Sequence, residues 1–306
     1  MDDSPLLNLR TFTGSPGPRL LITGGVHGDE FEPMEAIRAL IRRFEADSSG
    51  LRGNLTLVPV VNEAAFLRGH RCAEDGLDLA RTCPGRPDGS VTERTAHALS
   101  ELIRQSDYYI DLHTGGTEFS VYPLSGYVLH REPAILDTQR RMARAFNLPV
   151  IWGTSPELEG RSLSIARDAG VPAIYTEYLG SGVCSPEGVA AYLDGCLNIM
   201  AELGLIDQDQ PESRVKHIIE DTTPGSGHMQ AHNPSPIDGY FAPFVSLGDQ
   251  VSDGQPLGTV TDGLGAETRT IHAANAGMIL TLRTFPRVRA GEMTAVVASS
   301  SLKTES

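Results

Sequence analysis

Hydrophobic residues in the first two-thirds of the chain follow two alternating periodicities. Apolar runs of strand length, such as RLLITGGV at residues 19–26 and YYIDLHTG at 108–115, predict buried β-strands. Residues 32–47 instead repeat apolar positions every three to four residues, with Met34 and Phe44 on one face, and predict an amphipathic helix. Strands that alternate with helices are typical of an α/β fold with a largely parallel sheet flanked by helices.

The same two patterns recur up to about residue 206 and predict the remaining elements of this fold. Further strands are predicted at residues 53–62, 149–154 and 171–178. Further helices are predicted at residues 91–106, opened by Thr92, at 132–148, at 162–170, closed by Gly170, and at 185–206.

The pattern changes near residues 207–213, where helical periodicity gives way to glycine, proline and short β-rich runs. We therefore predict a first domain at residues 1–214 and a small all-β domain at 215–306. Within the second domain, residues 239–255 and 277–292 form a weak internal repeat that resembles the half-motifs of biotinyl/lipoyl-like barrels. The turn between the halves contains no lysine to acylate, so the domain is interpreted as a structural or substrate-gating appendage rather than a carrier.

Composition and charge narrow the classes of partner. The 306 residues carry a formal net charge of −14, and nucleic-acid binding is not expected without clustered basic residues. No apolar run is long enough to predict a membrane span, and the acidic N-terminus lacks the features of a secretory signal, so a cytoplasmic location is expected. The four cysteines form no CxxC pair and are expected to be free thiols. The sequence leaves open whether the chain forms a homo-oligomer.

Two potential metal ligands follow the first buried strand. His27 and Glu30 are three residues apart in GGVHGDE, and an imidazole nitrogen and a carboxylate oxygen are both suitable zinc ligands. Taken alone, this pair could equally cap the helix that follows. His113 also ends an apolar strand, and neighbouring parallel strands would bring both strand ends to one edge of the sheet. Asp111 could orient a histidine ring, or could be an ordinary buried aspartate.

A catalytic zinc site requires an open position for water and a general base. Two histidines and one carboxylate would fill three of the four positions around a zinc ion and leave the fourth open for water. Glu177 ends another apolar strand, and an acid in such surroundings is expected to have a raised pKa. Alternatively, Glu177 could form a structural salt bridge to a nearby arginine.

Taken in order, these motifs resemble those of the succinylglutamate desuccinylase/aspartoacylase family, a branch of the zinc-carboxypeptidase-like fold. The resemblance covers about residues 18–205, and a C-terminal β domain is also a family feature. The matching features are GGVHGDE at 24–30, Asn62, Arg71, DLAR at 78–81, DLH at 111–113 and Glu177.

The resemblance implies a role for each matching residue. His27, Glu30 and His113 would bind one Zn²⁺ per chain, and Glu177 would activate water and pass its proton to the leaving amine.

Two arginines and an asparagine complete the implied site. Arg71 would stabilise the oxyanion, and Arg81 and Asn62 would bind the substrate, with Arg81 holding a carboxylate. Both arginines could alternatively form surface ion pairs. Ala80 departs from the asparagine that is usual in the family, and this puts the identity of the substrate in doubt.

The predicted function is therefore hydrolysis of the amide bond of a small N-acyl amino acid, with N-acetyl-diaminobutyrate as one specific candidate. Two alternatives stay open: a metallocarboxypeptidase that acts on short peptides, and a catalytically inactive homologue that binds a metal or ligand. His228 and His232 are four residues apart, but glycine and proline bound this segment, so it is interpreted as a loop.

Overall fold

The computed structural model describes residues 7–226 and 232–299. Fifteen β-strands and six α-helices occur within these residues. The strands are β1 Arg10–Thr13, β2 Ser15–Thr23, β3 Arg52–Val58, β4 Tyr108–His113, β5 Phe119–Val128, β6 Val150–Thr154, β7 Ala173–Gly180, β8 His217–Glu220, β9 Gly239–Pro243, β10 Gln250–Val251, β11 Pro256–Thr261, β12 Thr268–His272, β13 Gly277–Arg283, β14 Arg287–Val288 and β15 Ala295–Ser299. The helices are α1 Phe31–Ala46, α2 Glu63–Arg68, α3 Val91–Arg104, α4 Pro133–Phe146, α5 Ser162–Ala169 and α6 Pro186–Glu202, and a single 3₁₀ turn spans Leu79–Arg81.

A mixed sheet forms the centre of the protein, in the strand order β1-β3-β2-β4-β7-β5-β13-β10. The strands β3, β2, β4 and β7 run parallel to one another, whereas β5 runs antiparallel to β7. Strand β6 adds to β5 in parallel. The predicted α/β class with flanking helices is confirmed, and the observed sheet combines parallel with antiparallel pairings.

Helices cover both faces of the parallel strands. Leu20 and Ile22 of β2 pack against α1, α4 and α6, while Leu21 between them packs on the opposite face against α3 and α5. Successive side chains of a strand point to opposite faces, so a strand that is covered on both sides must be apolar at every position. Full burial of each such side chain contributes roughly 1.5–3 kcal/mol to folding.

Local signals explain where two predicted helices begin and end. The prediction that Thr92 opens α3 is wrong, because Ser90 is the N-cap and forms a capping box with Glu93. Thr92 instead donates its hydroxyl and its backbone N–H to Asp75. The prediction that Gly170 closes α5 is confirmed, since this residue adopts the left-handed conformation at φ 70°.

Strand β5 has no counterpart among the predicted elements. Its sequence, FSVYPLSGYV, interrupts the apolar pattern with serine, proline and glycine. Gly126 is needed there because a Cβ at this position would lie 2.3 Å from the ring of Tyr175 on β7. Pairing with β7 and β6, rather than local propensity, therefore sets this strand.

The chain after residue 215 contributes to two sheets. Strand β8 pairs in parallel with β6, and β13 pairs with β5, so both extend the central sheet. Strands β9, β11, β12 and β14 form a separate antiparallel sheet. The domain boundary at 214/215 stays a prediction, and β8, on its C-terminal side, hydrogen-bonds to the sheet of the first domain.

The internal repeat has a structural counterpart in reciprocal strand pairing. Each copy begins with a longer strand and continues to a two-residue strand, β9 and β10 in the first copy and β13 and β14 in the second. The longer strand of each copy pairs with the short strand of the other, placing Gly239 opposite Val288 and Gly277 opposite Val251. The two copies therefore hydrogen-bond to each other in the same way. The assignment of the domain to the biotinyl/lipoyl-like barrel type stays a prediction.

None of the helices within the described residues combines the length and apolar character needed to cross a membrane.

Candidate active site

Three predicted metal ligands converge at the carboxyl edge of the parallel strands. His27 lies in the turn after β2, Glu30 is the N-cap of α1, and His113 is the last residue of β4. Strands β2 and β4 are parallel neighbours, with Thr23 opposite Asp111, so their ends meet. One ligand atom from each of the three residues lies within 4.8 Å of the other two.

Glu30 occupies the centre of this cluster. Its Oε1 lies 2.6 Å from Nδ1 of His27, and its Oε2 lies 3.0 Å from Nδ1 of His113. All three side chains are buried. Although burial alone raises the pKa of Glu30, the two histidines hold it well below its usual range.

A second carboxylate contacts the far nitrogen of each histidine. Nε2 of His27 lies 3.1 Å from Oδ1 of Asp78, and Nε2 of His113 lies 3.1 Å from Oδ2 of Asp111. Asp111 is itself held by Thr23, at 2.9 Å, and by Ser162. A histidine that donates its Nε2–H to a carboxylate keeps its Nδ1 lone pair available for a cation.

The donor set therefore fits a divalent metal such as Zn²⁺. Both imidazoles turn Nδ1 toward the same carboxylate and have a carboxylate behind them, which is the usual environment of a metal-ligating histidine. Two histidines and one carboxylate also match a zinc site that keeps a position for water or substrate. Helix capping is not the role of Glu30, since its side chain makes no cap hydrogen bond.

Glu177 lies next to the cluster because β7 is the neighbour of β4. His113 and Glu177 are opposite one another in the strand register. The Oε2 atom of Glu177 is buried and accepts no hydrogen bond from the described residues. Burial, reinforced by the charge of Glu30, raises the pKa of Glu177 to about 8 even though His113 opposes the shift.

Arginine side chains line one part of the adjoining cavity. Arg71 donates Nε and Nη2 to Oδ2 of Asp78, at 3.2 and 3.0 Å, so this carboxylate links the arginine to His27. Arg81 lies on the 3₁₀ turn that follows Asp78 and also lines the cavity.

Arg161 is a third cavity arginine, and the sequence motifs do not predict it. Burial and the charge of nearby Arg81 lower the pKa of Arg161 to about 10. It precedes α5 at a position with no distinctive spacing, so only the packing of α5 beside the site reveals it.

Two predicted positions on the substrate side differ in placement. Ala80 lines the cavity, so the departure from the usual asparagine faces the site. Asn62 does not line it. Asn62 is the N-cap of α2 and accepts a hydrogen bond from Ala65 N at 3.2 Å, while its Nδ2 is buried and has no partner among the described residues. In the structure Asn62 therefore caps a helix, and its contact with substrate stays a prediction.

The cavity has a volume of about 770 Å³, and the C-terminal part of the chain forms one of its walls. Arg283 of β13 is only 1% exposed; its guanidinium lies 5.0 Å from the centre of the Phe119 ring and donates to Glu118 and Glu292. Arg287 donates to the same two carboxylates. These ion pairs fix the C-terminal wall to the residues that follow His113.

The remaining residues considered from the sequence are two histidines and the four cysteines, of which Cys72 lines the cavity. His232 does not line the cavity, and His228 lies outside the described residues. The prediction of free cysteines is confirmed, since Cys72, Cys83 and Cys184, like Cys196, are unpaired.

Comparisons with known proteins agree in family and fold. The family model of the succinylglutamate desuccinylase/aspartoacylase catalytic domain matches residues 16–203. Over 291 residues the chain is 32% identical to N-alpha-acetyl-L-2,4-diaminobutyric acid deacetylase from Halomonas elongata, a match that covers 92% of this chain and 82% of that protein.

Two solved structures are similar over nearly the whole chain. The product-bound structure of the ectoine utilization protein EutE (DoeB) from Ruegeria pomeroyi has a TM-score of 0.85 at 27% identity, covering 95% of this chain and 88% of that chain. Succinylglutamate desuccinylase/aspartoacylase from Rhodobacter sphaeroides has a TM-score of 0.84 at 26% identity, covering 96% of this chain and 89% of that chain.

Proposed function

The chain belongs to the succinylglutamate desuccinylase/aspartoacylase catalytic-domain family, and from this premise we propose that it is a zinc-dependent hydrolase that cleaves the amide bond of a small N-acyl amino acid. The names of its relatives, a deacetylase and a desuccinylase, support the N-acyl amino acid deacylase class. The observation that carries the proposal is the buried cluster of His27, Glu30 and His113 beside Glu177.

His27, Glu30 and His113 would hold the metal, with Asp78 and Asp111 orienting the two imidazoles. A bound Zn²⁺ would supply Lewis-acid polarisation of the scissile carbonyl and would lower the pKa of a water molecule. The chain's own residues provide the proton transfers and the binding of the substrate.

Glu177 would carry the proton. Its carboxylate would accept a proton from the attacking water as the oxygen bonds to the carbonyl carbon. It would then donate that proton to the amine nitrogen as the carbon–nitrogen bond breaks, which releases a carboxylate and an amine. The raised pKa of Glu177 suits both steps, because a group that titrates near neutral pH can accept and return a proton.

The arginines would bind the negative charges of the substrate. Arg71, fixed by its two hydrogen bonds to Asp78, would stabilise the oxyanion that develops on the carbonyl oxygen. Arg81 would hold the carboxylate of the amino acid, as predicted, and Arg161 lies close enough to Arg81 to share that role.

N-acetyl-diaminobutyrate is the first substrate to test. The relative named for this reaction aligns with 92% of the chain, and Ala80 lines the cavity at the position where the family resemblance leads us to expect an asparagine. Arg283 and Phe285 of the C-terminal wall line the cavity, and we expect this wall to narrow access and favour small substrates over peptides.

Metal content and hydrolysis test the proposal together. Purified wild type should bind about one zinc per chain, and His113→Ala should lose most of it. His70→Ala is the matched control, because His70 lines the cavity but its imidazole hydrogen-bonds only to the backbone of Cys72 among the described residues. The zinc content of this variant should therefore stay that of wild type. Acetate release from N-acetyl amino acids should fall by about 10²- to 10⁴-fold in Glu177→Gln, with zinc retained.

Each alternative function has its own outcome in this assay. Faster cleavage of dipeptides than of N-acyl amino acids would identify a metallocarboxypeptidase. Zinc binding without hydrolysis of either class would identify an inactive binding homologue. Absence of any divalent metal after reconstitution would refute the hydrolase mechanism.

A further inference from the structure

Asp29 lies between the two metal ligands of the HGDE segment and lines the cavity. Its side chain is buried, with 6% of the residue exposed. Oδ2 accepts one hydrogen bond, from the backbone N–H of Thr117 at 2.9 Å. Oδ1 is buried and accepts none from the described residues. A buried carboxylate oxygen without a donor is costly, so a ligand that supplies a donor would bind favourably.

The other carboxylates of the cavity are already engaged. Each either accepts hydrogen bonds from protein groups on both oxygens or has a role in the proposed reaction. They are Glu30 with His27 and His113; Asp111 with Thr23, Ser162 and His113; Glu118 and Glu292 with Arg283 and Arg287; and Glu177, which carries the proton. Within the described residues, Asp29 is thus the cavity carboxylate with spare acceptor capacity and no part in the chemistry.

Glycine keeps one side of this carboxylate free of side chains. Gly116 lies against Asp29, and a Cβ there would be 2.8 Å from Oδ2 and 3.2 Å from Oδ1. The φ of +58° at Gly116 also disfavours any other residue. Gly116 and Thr117 line the cavity together with Asp29, so this buried carboxylate borders the cavity beside a residue that has no side chain.

Side chains of opposite charge line the same cavity. Arg81 and Arg161 also line this cavity, and Arg71 donates to Asp78 and not to Asp29. We propose that Asp29 binds an ammonium group on the side chain of the substrate, so that the enzyme selects N-acyl diamino acids over neutral N-acyl amino acids. This inference rests on the proposed deacylase function and adds the residue that sets its specificity.

The test compares two substrates that differ only in the amine. N-acetyl-2,4-diaminobutyrate carries the ammonium group, and N-acetyl-2-aminobutyrate is its neutral analogue. Zinc-loaded wild type should have a kcat/KM ratio of roughly 10- to 100-fold in favour of the amine, the range expected for a charged hydrogen-bonded pair. Asp29→Asn, which can still accept from Thr117 N, should bring this ratio close to one, and Asp29→Glu should restore part of it.

Glu118→Gln is the matched control. It removes one negative charge from the same cavity, but both oxygens of Glu118 already accept from arginines, so the substrate ratio should stay within about twofold of wild type. Thermal unfolding and zinc content of each variant establish that it is folded and loaded.

The results separate this inference from the proposed function. A wild type that cleaves both substrates equally, a ratio unchanged in Asp29→Asn, or a parallel loss on both substrates would overturn the role of Asp29 and leave the deacylase intact. If wild type cleaves neither compound, the proposed function fails. In that case, calorimetry still tests the role of Asp29 by comparing the affinities of zinc-loaded wild type and Asp29→Asn for 2,4-diaminobutyrate and 2-aminobutyrate. Tighter binding of the diamine to wild type, lost in Asp29→Asn, would support this role, and equal affinities of wild type for the two compounds would refute it.

Discussion

Replacement of Asp111 by asparagine tests how the chain prepares His113 for a metal. Oδ2 of Asp111 contacts both His113 Nε2, at 3.1 Å, and Ser162, while Oδ1 accepts from Thr23 at 2.9 Å. An asparagine oxygen in the Oδ2 position would preserve the contacts to His113 and Ser162. Its nitrogen would face the hydroxyl of Thr23, which can accept and can itself donate to Tyr109, 2.9 Å away. Every buried polar group keeps a partner, so Asp111→Asn should fold.

Asp111→Asn removes the negative charge next to Nε2 of His113, and the loss of this charge determines how much the metal affinity should fall. A neutral acceptor makes a hydrogen bond about half as strong as a carboxylate does, and it makes the imidazole a weaker donor of electrons to the metal. Loss of such an outer carboxylate typically weakens metal binding by about 10- to 100-fold. At about 1.4 kcal/mol per tenfold, this corresponds to roughly 1.4–2.8 kcal/mol of binding free energy.

Competition with a chromophoric zinc chelator measures the dissociation constant directly. Asp107→Asn is the control, because Asp107 precedes the same strand, carries the same charge and pairs with Arg19 at the surface. Its zinc affinity should equal that of wild type. An Asp111→Asn affinity within twofold of wild type, in a variant with unchanged thermal stability, would refute the reasoning that this carboxylate orients and activates His113.

Two further predictions concern stability. Burial raises the pKa of Glu177 from 4.5 to about 8, so between these pH values the folded metal-free protein binds a proton that the unfolded chain has lost. The free energy of unfolding of wild type should therefore fall relative to that of Glu177→Gln as the pH rises, by on the order of a few kcal/mol. Urea unfolding of both proteins in a chelator at pH 5 and pH 9 measures the difference, and a pH-independent difference would contradict the burial argument. Arg283→Met should cost about 1–3 kcal/mol, because Glu118 and Glu292 lose the charged hydrogen bonds from their buried partner and keep only those from Arg287. Arg287→Met, at a side chain that is 45% exposed, should cost less than about 1 kcal/mol. Equal losses in denaturant unfolding would show that burial of the guanidinium does not matter.

Sequence alone determined the features whose cause is local. The apolar stripe that includes Met34 and Phe44 predicted α1, and the strand before His113 followed from its continuous apolar run. The order of short motifs pointed to the family and to the three candidate ligands, because ligand types recur at fixed places relative to strand ends. Where a weak local signal met tertiary pairing, as in β5, the sequence pattern failed.

Only the tertiary structure decided which side chains meet. The contact of His27 with Asp78 joins residues 51 positions apart, and Arg161 and Arg283 reach the cavity from segments in which no motif marked them as site residues. Asn62 has the residue type of a substrate ligand, but it caps a helix. A periodicity or a cap is set by interactions within a few residues and can be read along the chain. The convergence of a site depends on the register of neighbouring strands and on the packing of distant segments, and these follow from the energy of the whole fold.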